Sequence, residues 1–219
     1  MEDVAVVELA TSGSLNVTRG TAPSLTITAG EQIIDRLTAE VDDGVLRLGS
    51  QGEPREYVGE IRYELVVSTL SSITVEGSGD ARVDVTGATD PSIVVRGSGD
   101  VEAVGVDARS LSLTLEGSGS IDVAEAQAPK LTVRIEGSGD VRIDGAVDEQ
   151  DVELRGSGDY TAAGLDSIDA RIAIRGPGEA EVSVSGTLDA VVDGSGEITY
   201  AGDPRVTKKI TGSGELHRR

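Results

Sequence analysis

Apolar and polar residues alternate one-for-one along most of this chain, and the alternation restarts at a nearly fixed interval. The restart is marked by Gly-Ser-Gly at Gly77, Gly97, Gly117, Gly137, Gly156, Gly194 and Gly212, with Gly176-Pro177-Gly178 filling the one gap. Successive marks lie 18 to 20 residues apart. Four positions before the first glycine stand Ile73, Ile93, Leu113, Val133, Val152, Ile172, Ala190 and Lys208. Two before it stand Val75, Val95, Leu115, Ile135, Leu154, Ile174, Val192 and Ile210. Four after it come Ala81, Val101, Ile121, Val141, Tyr160, Ala180, Ile198 and Leu216, and six after it Val83, Ala103, Val123, Ile143, Ala162, Val182 and Tyr200. Every offset is even, which is the period of a strand with one face buried. No segment has the 3.6-residue period of a helix, so helical repeats of similar length are excluded.

A 20-residue unit with two β runs cannot bury its apolar face alone, whereas stacked units bury it against one another. The pattern therefore predicts an all-β fold: a right-handed parallel β-helix, or solenoid, of about 20-residue coils. At least eight coils are expected from about residue 70 onward, with the glycines aligned along one edge. Both glycines of each mark fall on the inward phase, so the pattern predicts an inside corner without room for a side chain, and severe destabilisation by Gly117→Val. The serine between them points outward, and Pro177 is expected to be tolerated there because that position need not donate to the ladder. Residues one before the corner (Glu76, Arg96, Glu116, Glu136, Arg155, Arg175) and five after it (Arg82, Glu102, Asp122, Arg142, Glu181) form solvent-facing rungs of mixed charge.

Residues 1–70 are less regular. A strand is expected from Glu2 to Leu9, and Val7, Leu9, Leu15 and Val17 bracket Thr11-Ser12-Gly13 as a degenerate first corner. Leu25 and Ile27 precede Ala29-Gly30 in the same way. Val41-Asp42-Asp43-Gly44-Val45 is patterned as a hairpin turn, and Ile61 to Val67 as a strand leading into the array. The expectation is one domain over residues 1–219, with irregular coils and a cap in 1–70 and regular repeats in 71–219.

Composition narrows what such a solenoid does. Aromatics are 2% of the chain, all of them tyrosine (Tyr57, Tyr63, Tyr160 and Tyr200), so the core is aliphatic and narrow. The absence of cysteine excludes disulfides, thiol nucleophiles and thiolate metal sites. With 39 acidic against 19 basic residues the formal charge is −20, which argues against nucleic acid and against anionic lipid. Only Lys130, Lys208 and Lys209 are lysines, a bias shared by surfaces suited to high salt and by genomes of high GC content. No apolar run is long enough to span a membrane, and neither a signal peptide nor a lipoprotein anchor is visible in these residues.

Candidate chemistry is sparse. The one histidine, His217, is expected to be exposed and is poorly placed for a triad or a metal site. Eight similar corners argue that their serines are structural, because a nucleophile elbow needs a single strand-to-helix turn. One constellation stands out. Three residues after the corner glycine come Asp80, Asp100, Ser120, Asp140, Asp159, Glu179, Glu197 and Glu215, which stacking places in a column about 5 Å apart. Like charges in line are destabilising. Either these carboxylates cap the turn through backbone N–H groups, or the column is a weak cation ladder, with Ca²⁺ the best fit to oxygen ligands. No other cofactor is expected. Paired carboxylates also suit polysaccharide cleavage, but the connections here are short and aromatic sugar platforms are missing.

The N-terminal strand set (Val4–Thr18, Ser24–Thr28), the stretch Val-Asp-Asp-Gly-Val-Leu-Arg-Leu at 41–48, and Ser-Ser-Ile-Thr-Val-Glu-Gly-Ser-Gly-Asp at 71–80 with its repeats resemble a bacterial family, the putative auto-transporter adhesin head GIN domain. The resemblance covers essentially the whole chain. It implies a β-helix and a cell-envelope or secreted location, and it brings no catalytic residues. The expected function is a non-catalytic surface module that presents an acidic solenoid face for binding or assembly, its partner an unknown protein or glycan ligand. Homo-oligomerisation through the basic residues Arg205, Lys208, Lys209, Arg218 and Arg219 is left open. The alternatives are an envelope scaffold or stress-related protein of unknown partner and, less favoured, a polysaccharide-active enzyme.

Overall fold

The computed structural model describes residues 4–51 and 60–219. Within them the chain is nearly all β, a solenoid of about seven turns with coils of about 20 residues. The regular part follows the predicted alternation. A strand enters each Gly-Ser-Gly corner and another leaves it, and both pair in parallel with their counterparts one coil away. Eight corners bound about seven turns, so the count of at least eight coils expected from residue 70 onward was a count of corners.

The six strands of the first third are β1 (Val6–Leu9), β2 (Ser14–Arg19), β3 (Ser24–Thr28), β4 (Leu37–Asp42), β5 (Val45–Ser50) and β6 (Arg62–Val67). In the array, β7 (Ser72–Gly77) and β8 (Asp80–Asp84) flank the first corner, and β9 (Ser92–Gly97) and β10 (Asp100–Val104) the next. They are followed by β11 (Ser110–Gly117), β12 (Ser120–Gly137), β13 (Asp140–Gly156), β14 (Asp159–Gly176) and β15 (Glu179–Gly194). The last coils hold β16 (Glu197–Ala201), β17 (Arg205–Gly212) and β18 (Glu215–Arg218). From β12 to β15 each long strand also rounds the second, back corner of its coil while still paired to its neighbours.

The four predicted inward columns are the core. Ile73, Ile93, Leu113, Val133, Val152, Ile172 and Ala190 are all at most 1% exposed and stack in register. The back of the coil adds Val106, Leu131, Val147, Leu165 and Val184 to the same continuous cluster. Gln150 is fully buried there, in a column otherwise filled by Leu111, Leu131, Ala170 and Leu188. Its Oε1 accepts from the Tyr160 hydroxyl at 3.0 Å, its Nε2 donates to Ser167 Oγ at 2.8 Å, and Ser167 Oγ donates to the Ser183 carbonyl at 2.7 Å. These three side chains are satisfied by the fold itself, and burial pushes the Tyr160 phenol well above its usual pKa.

The corner glycines are needed for more than the inside corner expected. The second glycine is buried at every corner but the last, where Gly214 is half-buried; the first is partly or fully exposed. The first has φ between +105° and +143° throughout the series, a region hostile to L side chains. A Cβ on Gly117 would overlap the carbonyl oxygen of Gly97, and one on Gly119 the carbonyl oxygen of Gly99. The obstacle at both is backbone of the preceding coil along the axis, and at Gly139, Gly158 and Gly196 the core side chains of Leu115, Ile135 and Ile174 crowd the same position as well. The serine between the glycines does donate to the ladder: the amides of Ser98, Ser118, Ser138, Ser157 and Ser213 reach the preceding coil's first glycine carbonyl at 2.8–2.9 Å. Pro177 lacks that donor, and Gly178 N–H turns to the Gly156 carbonyl at 3.2 Å instead.

The first third departs from simple stacking. The strand expected from Glu2 starts at Val6, and residues 1–3 lie outside the described residues. Strands β1 and β2 flank Thr11-Ser12-Gly13 and stack in parallel on β7 and β8, with Val7 on Ile73 and Leu15 on Ala81. On their other side they pair with β5 and β6. The chain's first coil is therefore inserted between its second and third: β6 leads into β7 along the chain, as expected, but β2 separates it from β8 in space. Strand β4 pairs antiparallel with β5 through a tight turn in which Asp43 and Gly44 have φ of +46° and +78°, the expected hairpin. Strand β3 pairs antiparallel with β6, and Ala29-Gly30 is not a stacked corner, since a Cβ on Gly30 would meet nothing within 4 Å. Together β3 and β4 close this end, with Ile33 buried beneath them.

Candidate functional site

Strand β6 and the strands leaving the corners, β2, β8, β10 and the first parts of β12 and β13, lie side by side in that order and expose one long polar face. An open groove of about 820 Å³ runs across these six coils. Its walls include Asn16, Arg82, Asp100, Glu102, Asp122 and Arg142. All are outward-phase residues, so the alternation that fills the core also lines the groove at one rung every 4.8 Å or so. Arg82 and Glu102 pair at 2.8 Å within it, while Arg142 has no ion-pair partner among the described residues. A second, smaller hollow of about 380 Å³ continues along the same face over Asp159, Glu179, Glu181 and Glu197, where Arg219 pairs with Glu181.

The acidic column borders this groove. Asp100, Ser120 and Asp140 are in register, as are Asp159, Glu179, Glu197 and Glu215. Each aspartate accepts a backbone amide of the next coil, and Asp100 accepts the Ser120 hydroxyl too, at 2.8 Å. Oδ1 of Asp80 accepts the amide of Asp100 at 3.1 Å, and Asp100 accepts that of Ser120 at 2.8 Å. Asp140 accepts the amide of Asp159, and Asp159 that of Glu179, both at 3.2 Å. Where the preceding coil carries serine or glutamate at this position, the amide bonds to a glycine carbonyl instead. Asp80 reaches Gly13, Asp140 reaches Gly119, Glu197 reaches Gly178 and Glu215 reaches Gly196 at 2.9–3.2 Å. The carboxylates thus cap backbone N–H groups of the next coil rather than of their own turn. The N–H dipole also offsets part of the repulsion between stacked charges. Among the described residues, no three carboxylates or imidazoles converge on a point, so a cation would meet neighbouring pairs in a ladder and no closed cage.

The mixed-charge rungs before the corner form ion pairs between coils and, at Arg155–Glu153, within one strand. Arg96 bridges Glu76 and Glu116 at 3.2 and 3.3 Å, and Arg155 reaches Glu136 at 3.1 Å and Glu153 at 2.9 Å. Partial burial pushes the Glu153 carboxyl up, but hydrogen bonds from Arg155 and Arg175 outweigh it and hold the group below its usual range. Hydrogen bonds from Arg109 and Ser110 hold Asp90 low in the same way. His217 is exposed and lies 2.6 Å from Glu215.

Sequence reasoning placed the groove residues on the solvent face without seeing that six coils make one trough of them. The available signal was the run of Asp, Glu, Asn and Arg at offset five, where an ordinary solvated face carries more lysine. It also missed Gln150 and the back corner, where Glu125 takes φ +54° between coils that carry Gly105 and Gly145 at the same turn.

Paired corner glycines, inter-coil aspartate caps and a polar trough define a β-solenoid with one long exposed polar face. The chain belongs to the family described as putative auto-transporter adhesin, head GIN domain, whose model matches residues 5–204. Solved structures share the fold over nearly their whole length. A putative lipid binding protein from Parabacteroides distasonis is similar with a TM-score of 0.91 at 27% identity, over 99% of this chain and 93% of that one. A putative adhesin from the same species gives 0.89 at 23% identity, over 100% and 94%. A putative adhesin from Parabacteroides merdae gives 0.86 at 20% identity, over 100% and 93%. No curated protein matches the sequence. Among the described residues no helix is long and apolar enough to cross a membrane.

Proposed function

We propose that the protein is a non-catalytic binding module of the bacterial envelope, and that the groove on the post-corner face holds an extended glycan. The observation that carries this reading is the trough itself. Six coils supply hydrogen-bonding side chains at a regular spacing, close to the advance of an extended sugar chain, so a polymer lying along the solenoid axis meets a similar set of partners at each rung. Carboxylates, the Asn16 amide and the Arg142 guanidinium offer acceptors and donors to hydroxyl groups. The adhesin names of the family and of two structural neighbours agree with a surface role.

A lipid ligand, suggested by the name of the 27%-identical neighbour, fits less well. The interior is filled by Val, Leu and Ile side chains, which leaves an acyl chain no apolar space to enter. Enzymatic cleavage is disfavoured because the groove is shallow, open and even along its length. Glycan-array binding with the 219-residue protein tests the proposal. Arg142→Glu and Asp122→Ala are expected to reduce binding with little change in melting temperature, because both side chains are outside the core. Binding that survives both substitutions, or binding to peptides alone, would reject the glycan groove. Release of shortened oligosaccharides would favour the enzyme.

A further inference from the structure

The two ends of the solenoid carry opposite charge. In residues 31–43, on and beside the cap, five acids (Glu31, Asp35, Glu40, Asp42, Asp43) face one Arg36, a net charge of −4. In residues 205–219, the β17–β18 coil, five bases face one Glu215, a net charge of +4 with His217 neutral. This coil breaks the trend of a chain whose total is −20. Arg205, Lys208 and Lys209 have no ion-pair partner among the described residues, and neither do Glu40 and Asp42. Both ends also show apolar surface: Val41 and Ile34 are 47% and 36% exposed at the cap, and Val206, Ile210 and Leu216 are only partly buried at the other end.

The ladder shows how these ends would meet. Followed coil by coil, the register carries Arg47 to Lys209, Leu48 to Ile210 and Tyr63 to Leu216. In the cap, Glu40 lies over Arg47, Ala39 over Leu48 and Ile27 over Tyr63. A second copy continuing the same axis therefore sets Glu40 against Lys209, Ala39 against Ile210 and Ile27 against Leu216. Asp42 falls over Thr207, diagonal to both Arg205 and Lys209. Charge meets opposite charge on the outward phase; on the inward phase Ala39 and Ile27 meet apolar residues, while Val41, paired with Leu46, falls against Lys208 and meets the aliphatic stem of that side chain.

We infer that copies of this chain associate head to tail along the solenoid axis, the β17–β18 coil of one against the β3–β4 cap of the next. The contact is heterologous and leaves a free end at each step, so it produces an open series of oligomers rather than a closed dimer. The long-range repulsion of highly acidic copies opposes it. At about 0.15 M salt, charges further apart than roughly 8 Å are screened, while pairs in contact are much less so.

Charge exchange tests this with the full 219-residue protein at 0.15 M NaCl, by sedimentation velocity over a range of concentrations. The unsubstituted protein should form species that lengthen with concentration. Lys209→Glu and Glu40→Lys should each weaken association by about tenfold or more, because each sets like charges opposite one another. An equimolar mixture of the two variants should recover it, since each restores the other's complementary end, and so should the double variant alone. Melting temperatures of the single variants should stay near that of the unsubstituted protein, as both side chains are exposed. A monomer at every concentration, a dimer that never grows, or no recovery in the mixture would each overturn the inference.

Discussion

The two corners of each coil solve the same turning problem in opposite ways. At the front, a corner with two glycines flanking one residue marks every coil of the array, and the amides of Ser98, Ser118, Ser138, Ser157 and Ser213 continue the ladder. At the back, the turn is made by Gly87, Gly105, Glu125, Gly145 or Gly202, and the pairing slips between Val123 and Ala126, Arg142 and Gly145, and Ala162 and Asp166. Coil length varies from 18 to 20 residues while the front corners stay aligned. The back corner, with its bulges, absorbs the difference. A solenoid thus needs one rigid corner to fix register, and it tolerates variation at the other.

The largest test of that contrast lies within the front corner itself. Gly117→Ala forces a methyl into the Gly97 carbonyl at a backbone angle of +140°. Strain and overpacking together should cost about 3–5 kcal/mol, read as a fall in the thermal or urea midpoint. Gly77 has a similar angle, +105°, but a Cβ there meets nothing within 4 Å, because its neighbour is the degenerate corner at Thr11. Gly77→Ala should therefore cost only the backbone term, about 1–2 kcal/mol. Equal losses at the two positions would mean that φ, and not the neighbouring coil, makes the glycine necessary.

The rung behind the corner offers a second, smaller comparison. Asp100→Ala removes the acceptor of the Ser120 amide and should cost about 1–2 kcal/mol. Glu197→Ala removes a carboxylate from the same column, yet the amide of Glu215 keeps its bond to the Gly196 carbonyl. Its cost should stay within about 0.5 kcal/mol. If Ca²⁺ bound along the column, both variants would lose a metal-dependent gain in melting temperature measured at matched ionic strength. Inter-coil capping predicts no such gain in the unsubstituted protein.

What the sequence makes legible follows from the same division. Front corners and inward columns repeat at even offsets, so period alone places Ile73, Leu113 or Val192 in the core. Behind Val123 a bulge shifts the phase, and no fixed offset from the corner predicts that Ala126, Val147 and Leu165 point inward. Gln150 was recoverable in principle, since it stands where Leu111, Leu131 and Leu188 stand in other coils. The order of coils in the first third was not. Alternation assigns β1 and β2 to a corner, but any coil with that pattern fits beside any other, and only the closed cap at β3 and β4 determines that this one sits between β5–β6 and β7–β8. The groove went unseen because a single coil contributes two or three ordinary polar residues, and their role emerges only when six lie side by side.

At the back corner the expected sign reverses. Glu125 holds φ +54° where neighbouring coils use glycine, and its amide donates to Asp144 Oδ1 at 2.6 Å. Glu125→Gly keeps that backbone bond and relieves the left-handed strain, partly offset by the greater freedom of glycine in the unfolded chain. A gain of about 0.5–1 kcal/mol is expected in urea unfolding. A loss would show that the Glu125 side chain holds the turn and that the back corner is less permissive than its slips in register suggest.

The smallest expected effect concerns the ion pairs that staple neighbouring front corners, and it is read through pH. Glu153 is bonded by Arg155 and Arg175, the residues that precede Gly156 and Gly176. Its folded pKa is lowered, so its contribution is fully present above the unfolded value of about 4.3 and is lost as pH falls through the folded value. Acid also protonates other carboxylates and relieves the overall negative charge, an effect of opposite sign. Comparison with Glu153→Gln removes that background, because both proteins share it. The difference in stability between the two should be constant from pH 8 to about 5 and should shrink steadily below about 4. A difference that stayed unchanged down to pH 3 would mean that Glu153 acts through packing on the strand and not through its charge, and the front corners would then be held together by their backbone geometry alone.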